Sequence, residues 1–158
     1  MKRYIKARIS DALDQPLEAQ EEIARTSTNP DELDALAKAY PTDYMLCYYI
    51  AKNPNVYTET LIPLMKHSAR YVREVVAENP NTTLDMLWKL SDDEEGQVLF
   101  GILNNPNVTE DLIKKLANAE DVNVKLAALE RLGFVISEND YGEIQVNGET
   151  WDLFRRYI

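Results

Sequence analysis

The sequence predicts a mainly α-helical protein, an α-solenoid of short (about 26-residue) helical repeats with a small C-terminal β-hairpin cap. Three observations support this fold class. The dipeptide Asn-Pro recurs at Asn53, Asn79 and Asn105 with a constant spacing of 26 (79−53 and 105−79). Near the C-terminus an Asn-Gly dipeptide lies between alternating apolar and polar residues, which favours a hairpin. Apolar residues also repeat at the same period in four rows: Leu46, Val72, Val98 and Val124; Ile50, Val76, Ile102 and Ala128; Leu61, Leu87 and Ile113; and Leu64, Leu90 and Leu116.

Stacked repeats bury these rows jointly, because no unit of this length covers its own apolar side. We therefore predict a single domain over 1–158, with an N-terminal helical cap at 1–28, helical repeats at 29–133 and a capping segment at 134–158. In the N-terminal cap the apolar pattern predicts helices over 2–13 and 16–25. The second of these would carry Leu17, Ile23 and Ala24 toward the core.

Each repeat is predicted to begin at Asn-Pro and to have two parts joined by a polar run: a first segment that ends in Leu-x-x-Leu, and a helix with apolar residues at i, i+3 and i+4. Proline excludes the α conformation from the residue before it, so the incoming helix must end there. Threonines near the start of the next helix, namely Thr58, Thr83 and Thr109, are candidates to cap it. A fourth Asn-Pro begins at Asn29, but its repeat is two residues shorter (53−29 is 24), so its register differs.

The C-terminal segment after Gly133 leaves two interpretations open. In the favoured one, a two-residue turn at Asn147-Gly148 pairs Val146 with Glu149 and Ile144 with Trp151. In the other, Thr150 caps a helix running from Trp151 to Tyr157. Either arrangement would cover one end of the repeats, as terminal units of repeat proteins must.

The segment Val72-Arg73-Glu74-Val75-Val76-Ala77-Glu78-Asn79-Pro80-Asn81-Thr82 resembles the core motif of the leucine-rich repeat variant family. The resemblance covers about residues 25–132 and implies a right-handed solenoid that alternates an α-helix with a shorter helical segment. One known member carries a cysteine-rich iron–sulfur segment. Nothing in this sequence corresponds to that segment, so the resemblance implies no cofactor. A HEAT-like array is the alternative, but its repeats of roughly 40 residues exceed this period.

Composition narrows the classes of function. The chain has 27 acidic and 17 basic residues, a net charge of −10 and a pI near 4.6. This charge repels phosphate backbones, so direct nucleic-acid binding is not expected. The N-terminus lacks the apolar stretch of a secretion signal, and no apolar run is long enough for a membrane span. With one cysteine, Cys47, and no intramolecular disulfide, we expect a cytoplasmic protein.

No constellation of residues predicts catalysis, so we expect a protein that is not an enzyme and has no catalytic, metal or cofactor residues. His67, the only histidine, has no ligand partners at suitable spacing and is expected to be a solvated loop residue. Cys47 is expected to be a buried small hydrophobe rather than a reactive thiol. The acidic run Asp92 to Glu95 lacks the spacing of a calcium loop and is expected to be a solvated connector.

Six residues are the candidate partner-binding set: Tyr44, Tyr48, Arg70, Arg73, Glu74 and Trp88. Tyr44 and Tyr48 share rows with Arg70 and Glu74 on the predicted solvent side, and exposed tyrosines are good interface anchors. The competing interpretation packs the tyrosines against the N-terminal helices and buries Trp88 in part between repeats. For the arginines it predicts ion pairs within the helix, with Glu74 and Glu78.

The sequence thus predicts a non-enzymatic module that binds another protein through its solenoid surface. The alternative is an acidic decoy that imitates nucleic acid and inhibits a DNA- or RNA-binding protein. A continuous acidic stripe would favour the decoy, whereas carboxylates interleaved with lysines would favour the module.

Overall fold

The computed structural model of the protein describes residues 9–147 and 149–150, and of the last two only the backbone. The chain divides into two compact units, Met1–Asn107 and Val108–Ile158. Most of the described residues are helical, and a small antiparallel sheet lies near the C-terminus. No helix within the described ranges combines the length and the apolar character needed to cross a lipid bilayer.

All the regular secondary structure that is described in the first unit is helical. Residues 9–13 form α1, which confirms the end of the predicted N-terminal helix; its residues 2–8 lie outside the described chain. The other helices are α2 (Leu17–Thr26), α3 (Pro30–Ala39), α4 (Tyr44–Lys52), α5 (Thr58–Leu64), α6 (Arg70–Glu78), α7 (Leu84–Leu90) and α8 (Gly96–Asn104).

The even-numbered helices of this unit pack in chain order, α2 on α4, α4 on α6 and α6 on α8. Each odd-numbered helix from α3 onward contacts the even-numbered helices beside it in sequence, and α3 also contacts α5. The predicted apolar rows supply the core: Leu46, Val72, Val98, Ile50, Val76 and Ile102 are all fully buried, as are Leu61 and Leu87. The burial predicted from the repeat period is therefore confirmed here.

Helix α8 approaches α6 closely because residue 101 is glycine. A Cβ atom built at Gly101 would lie 2.8 Å from the carbonyl oxygen of Glu74 and 2.9 Å from the Cβ atom of Ala77. Contacts this short between a Cβ atom and a helix backbone do not occur without displacement of one helix. The equivalent position of α6, one repeat earlier, is Val75, so the two helix pairs are not packed identically.

The Asn-Pro dipeptides end the helices as predicted. Asn53, Asn79 and Asn105 are the C-cap residues of α4, α6 and α8, and each is extended, with ψ between 126° and 135°. Asn29-Pro30 differs, since Pro30 is the first residue of α3 and the Asn29 side chain accepts a hydrogen bond from the Asp31 N–H. The shorter first repeat therefore lacks the turn that the others insert before the odd-numbered helix.

The asparagines of these turns hold successive repeats together, a role that their sequence pattern did not predict. The Asn79 amide donates to the carbonyl oxygens of Ala51 (2.6 Å) and Asn53 (3.1 Å) in the preceding repeat. Its side-chain oxygen accepts from the Asn81 N–H at 2.8 Å. In the same way, the Asn105 amide donates to the carbonyl oxygens of Ala77 and Asn79, and its side-chain oxygen accepts from the Asn107 N–H. The Asn53 amide likewise donates to the carbonyl oxygens of Ala24 and Ser27, and its side-chain oxygen accepts from the Asn55 N–H.

We call Asn53, Asn79 and Asn105 the asparagine ladder. Their side chains are almost completely buried, with residue exposures of 3%, 3% and 1%. A parallel set of bonds comes from the asparagine two residues later: the Asn81 amide donates to Pro54 and Val56. These amides satisfy carbonyl groups that the helix ends and the turn prolines would otherwise leave unpaired.

Two of the predicted threonine caps are wrong. Thr83 does cap α7, accepting from the Met86 N–H at 3.4 Å. Thr58 is instead the first residue of α5, and its hydroxyl donates to the carbonyl oxygen of Asn81 at 2.9 Å. Thr109 precedes α9 without a side-chain cap hydrogen bond. In the N-terminal cap, α2 matches the predicted helix, but Leu17 is half exposed rather than inward.

The second unit contains α9 (Glu110–Leu116), α10 (Val122–Arg131) and strands β1 (Ile136–Glu138), β2 (Ile144–Val146) and β3 (Glu149–Thr150). Helix α9 packs on α10, and α10 contacts β1. The residues that the second unit contributes to the predicted apolar rows are also buried: Ile113, Leu116, Val124 and Ala128.

The predicted hairpin is confirmed where the structure describes it. Val146 pairs with Glu149. Asn147 in the turn has a positive φ of 51°, and turns of this kind require such a value. Strand β1 adds a second antiparallel pairing that was not predicted, with Ile136 opposite Val146. The predicted pairing of Trp151, and the alternative helix from Trp151 to Tyr157, lie outside the described residues.

Candidate protein-binding surface

The two candidate tyrosines of α4 differ in exposure. Tyr44 is 54% exposed, whereas Tyr48 is partly buried, and its ring contacts the Tyr49 ring edge to face at 5.4 Å. Lys52 lies over the Tyr48 ring and donates to its hydroxyl at 3.3 Å. Tyr49, predicted to be in the core, is also only partly buried, with the Arg25 guanidinium 4.6 Å above its ring. Tyr44 is thus the more available of the two candidates.

Arg73 is engaged within the protein. Its guanidinium makes two parallel hydrogen bonds to the Asp93 carboxylate, from Nε at 2.6 Å and from Nη2 at 3.0 Å. Nη1 also donates to the carbonyl oxygens of His67 and Ser68. The side chains of Arg73 and Asp93 are only 18% and 11% exposed. We call the segments that lead from an odd-numbered helix to the next even-numbered helix the connectors. Arg73 links two successive connectors, 65–69 and 91–95, through hydrogen bonds to His67, Ser68 and Asp93. Its guanidinium is therefore used within the protein itself.

Arg70 and Glu74, also on α6, are partly exposed. Arg70 forms an ion pair with Glu95 at 3.3 Å and stacks on the ring of Tyr71. Burial, and then the nearby charge of Glu78, raise the pKa of the Glu74 carboxyl, while the charge of Arg70 acts in the opposite direction. The expected ion pairing of both arginines is present, but the predicted partners were wrong: they come from the acidic run, not from Glu74 and Glu78.

His67 was expected to be solvated, and this expectation is wrong. The acidic run is a connector with Asp92 and Glu94 exposed, as expected, but Asp93 is mostly buried. Asp93 accepts from the N–H of Glu95 at 3.0 Å, in addition to its bonds with Arg73. Burial alone would raise the pKa of the Asp93 carboxyl, but the hydrogen bond from Arg73, the Glu95 N–H and the Arg73 charge hold it below its ordinary value. His67 is buried, and its Nδ1 accepts from the Ala69 N–H at 3.0 Å.

His67 and Asp93 have the same role in successive repeats. They lie one repeat period apart, and each accepts a hydrogen bond from the backbone two residues later, just before an even-numbered helix. Aligning the connectors at the repeat period would have revealed the equivalence.

Trp88 is 38% exposed on α7, and Ile62, at the same position of α5, is 47% exposed. The two occupy one row because they are separated by a single repeat period. Large apolar side chains exposed in consecutive repeats form a candidate contact surface. Trp88 was predicted from the sequence, and Ile62 is added by the structure.

A groove of about 440 Å³ lies between α3 and α5 in the first unit. Its apolar wall is formed by Ala37, Pro41, Pro63 and Leu64. We call it the α3–α5 groove. Its volume is within the range of sites that bind small molecules or single peptide side chains. It was not predicted, since no sequence motif marks a space between two helices.

Cys47 is fully buried, which confirms its predicted structural role. Its thiol donates to the carbonyl oxygen of Tyr40 at 3.4 Å. Burial, and secondarily the charge of Asp43, raise the pKa of this thiol to about 11. A thiol that stays protonated is a poor nucleophile. Among the residues that the structure describes, no three His, Cys, Asp or Glu side chains cluster as a metal site would require.

Comparisons with protein-family models, with curated proteins and with solved structures find no match to this chain. The function must therefore be inferred from the geometry of the chain itself.

Proposed function

We propose that this chain is a non-enzymatic module that binds another protein through the exposed surface of a short-repeat α-solenoid of the leucine-rich repeat variant type. The solenoid is supported by the chain-order packing of the even-numbered helices and by the asparagine ladder, whose bonds recur once per repeat in the first unit. A framework tied in this way would present its surface rigidly, which lowers the entropic cost of binding.

The observation that carries the proposal is the exposure of Ile62 and Trp88 at one position of consecutive repeats. An exposed tryptophan is among the side chains that contribute most to protein interfaces. On α4 and α6 the proposed surface also includes Tyr44, Tyr48, Arg70 and Glu74. Arg73 has a different part in the proposal: it would hold the connectors in place instead of contacting the partner.

The distribution of charge supports the module over the nucleic-acid decoy. A decoy would need an unbroken row of carboxylates to imitate phosphates. Carboxylates on several described helices are instead paired with a lysine four residues later: Asp34 with Lys38, Asp85 with Lys89 and Glu110 with Lys114. The acidic run is likewise partly neutralised by Arg70 and Arg73.

Affinity capture followed by quantitative mass spectrometry tests the proposal. The double variant Ile62→Ser/Trp88→Ser should lose proteins that the wild type retains, by about fivefold or more, since each large anchor contributes roughly 1 kcal/mol or more. Tyr141→Ser is the control, because it removes a side chain that is 90% exposed in the second unit. Identical sets of captured proteins from the wild type and the double variant would refute the proposed surface.

A further inference from the structure

The α3–α5 groove has one uncompensated charge toward each end of α5. Glu59 lies in the first turn of this helix and Lys66 two residues after its end, and both line the groove and are exposed. They are seven positions apart (66−59), and the Met65 and Lys66 N–H groups still bond to the carbonyl oxygens of Leu61 and Pro63 after α5 ends. The separation of the two residues along the helix direction is therefore about 10 Å. Neither side chain forms an ion pair with any residue that the structure describes. The groove therefore has an anion toward one end and a cation toward the other.

The other charged residues of the groove are already paired. Asp34 binds Lys38 and also accepts from the hydroxyl of Thr60 at 2.7 Å. Most cations of α2 to α8 likewise have carboxylate partners, as Arg25, Arg70, Arg73 and Lys89 do. Among the described cations from α2 to α8, only Lys66 and Lys52 lack a carboxylate partner, and Lys52 contacts Tyr48 instead. Lys66 also lines the next groove, between α5 and α7.

We infer that the α3–α5 groove binds a short extended peptide of the partner protein that carries an acidic and a basic side chain on either side of apolar residues. This inference rests on the proposed function and specifies the chemistry of its ligand. A peptide in the extended polyproline II conformation has three residues per turn and advances about 3.1 Å per residue, so side chains three positions apart lie on the same side and about 9 Å apart. The acidic side chain pairs with Lys66, the basic one with Glu59, and the apolar residues between them contact Pro41, Pro63 and Leu64.

His67 supplies a reporter for the groove. It lines the groove and is the only histidine of the chain, so its imidazole carbon–proton signals in an NMR spectrum need no further assignment. Because its Nδ1 accepts the Ala69 N–H, Nε2 is the nitrogen that remains to donate to a ligand carbonyl. A peptide in the groove would change these signals.

The test uses the full chain and the acetylated, amidated peptide Gly-Asp-Leu-Leu-Arg-Gly as the probe. Saturable shifts of the His67 signals are expected with this peptide. Two control peptides should bind at least about fivefold more weakly: Gly-Asp-Leu-Leu-Asp-Gly, with like charges, and Gly-Asp-Ser-Ser-Arg-Gly, without the apolar pair. Equal binding of all three peptides, or no shift with any of them, would overturn the inference.

Charge reversal in the protein gives an independent check. Lys66→Glu and Glu59→Lys should each weaken the probe about tenfold, since an attractive pair becomes a repulsive one. The double variant Glu59→Lys/Lys66→Glu should recover binding with the peptide reversed in the groove. Lys52→Glu makes the same change in net charge as Lys66→Glu but outside the groove, and it should leave the affinity unchanged. Unchanged affinity in both single variants would contradict the proposed pairing.

The two proposals can fail separately. Capture that depends on Ile62 and Trp88, together with no peptide binding, overturns the groove and leaves the module. If the peptide binds with the predicted charge dependence but the wild type captures no protein through Ile62 and Trp88, the groove proposal is supported and the proposed Ile62–Trp88 surface is refuted.

Discussion

In the first unit the Asn-Pro turns lead from an even-numbered helix to the next odd-numbered one, the connectors lead from an odd-numbered helix to the next even-numbered one, and the two are built differently. Each turn repeats one chemistry: a buried asparagine donates to the preceding repeat and accepts from the residue two positions later. The connectors fill one equivalent position with His67 in one repeat and Asp93 in the next. Arg73 bonds to the side chain of Asp93 but only to the backbone carbonyl oxygen of His67. The recurring hydrogen bonds of the ladder asparagines hold successive repeats together. The connector position that differs, His67 or Asp93, gives each repeat a different charge beside its groove.

The largest effect is expected from replacing a ladder asparagine with aspartate. Asn79→Asp keeps an oxygen for the Asn81 N–H but turns a buried donor into a carboxylate that faces two carbonyl oxygens. We expect a loss of more than about 4 kcal/mol in the free energy of unfolding at pH 7, or failure to fold, because a buried unpaired charge is so costly. Thermal and urea unfolding measure it.

Asn79→Ala separates the lost hydrogen bonds from the added charge. It leaves the carbonyl groups of Ala51 and Asn53 unpaired, for an expected loss of about 2–4 kcal/mol. Asn81→Ala is the matched control, since this asparagine is more exposed and should cost less. A loss below about 1 kcal/mol for Asn79→Ala would show that the ladder does not hold the repeats together.

A smaller loss, about 1–2 kcal/mol, is expected for Arg73→Met at pH 7, where a partly buried ion pair with good geometry is removed. Folding lowers the pKa of the Asp93 carboxyl from its ordinary value of 3.8. The stabilisation is therefore complete above that ordinary value and declines as the pH falls through the lower folded value. The difference in stability between wild type and variant should narrow between about pH 5 and pH 2. Urea unfolding at several pH values measures this, and a constant difference would contradict the pairing.

The connector acceptor His67 should matter less than a ladder asparagine. His67→Ala removes the acceptor of the Ala69 N–H, at an expected cost of about 1 kcal/mol, comparable to the loss of a helix cap. Hydrogen exchange should show faster exchange at Ala69 while the amide of Asn81 is unaffected. Equal acceleration at both amides would mean that the connectors and the turns open together.

The smallest effect on stability is expected in the exposed row, at Ile62. Ile62→Ser should change the free energy of unfolding by no more than about 0.5 kcal/mol, as is usual for exposed positions. Trp88→Ser should cost about 1 kcal/mol, because Trp88 is only 38% exposed and the covered part of its side chain loses contacts. Thermal unfolding of the two variants tests this. A loss above about 2 kcal/mol at either position would show that the row is structural and would remove the main support for the binding surface.

The sequence alone determined the helical repeats, because the hydrophobic effect requires apolar side chains at fixed spacing and that spacing is visible in one dimension. The Asn-Pro helix ends, the buried Cys47 and the hairpin at Val146 and Glu149 followed from local rules in the same way. Only the tertiary structure decided which polar groups meet. Asn79 donates to residues 26 and 28 positions earlier, and Arg73 pairs with a residue 20 positions later.

The burial of His67 and the internal hydrogen bonds of Arg73 share that physical cause. Local patterns predict solvent around His67 and a contact role for Arg73, because they compare each residue only with its own helix or loop. The Arg73 guanidinium instead bonds to the carbonyl oxygen of His67 in the connector before its helix and to Asp93 in the connector after α7. Burial of polar groups depends on distances across the stack, which no local pattern records. The α3–α5 groove and the exposure of Ile62 are likewise properties of the space between helices. The order of residues thus determined what each repeat is, and packing between repeats decided which groups remained available to a partner.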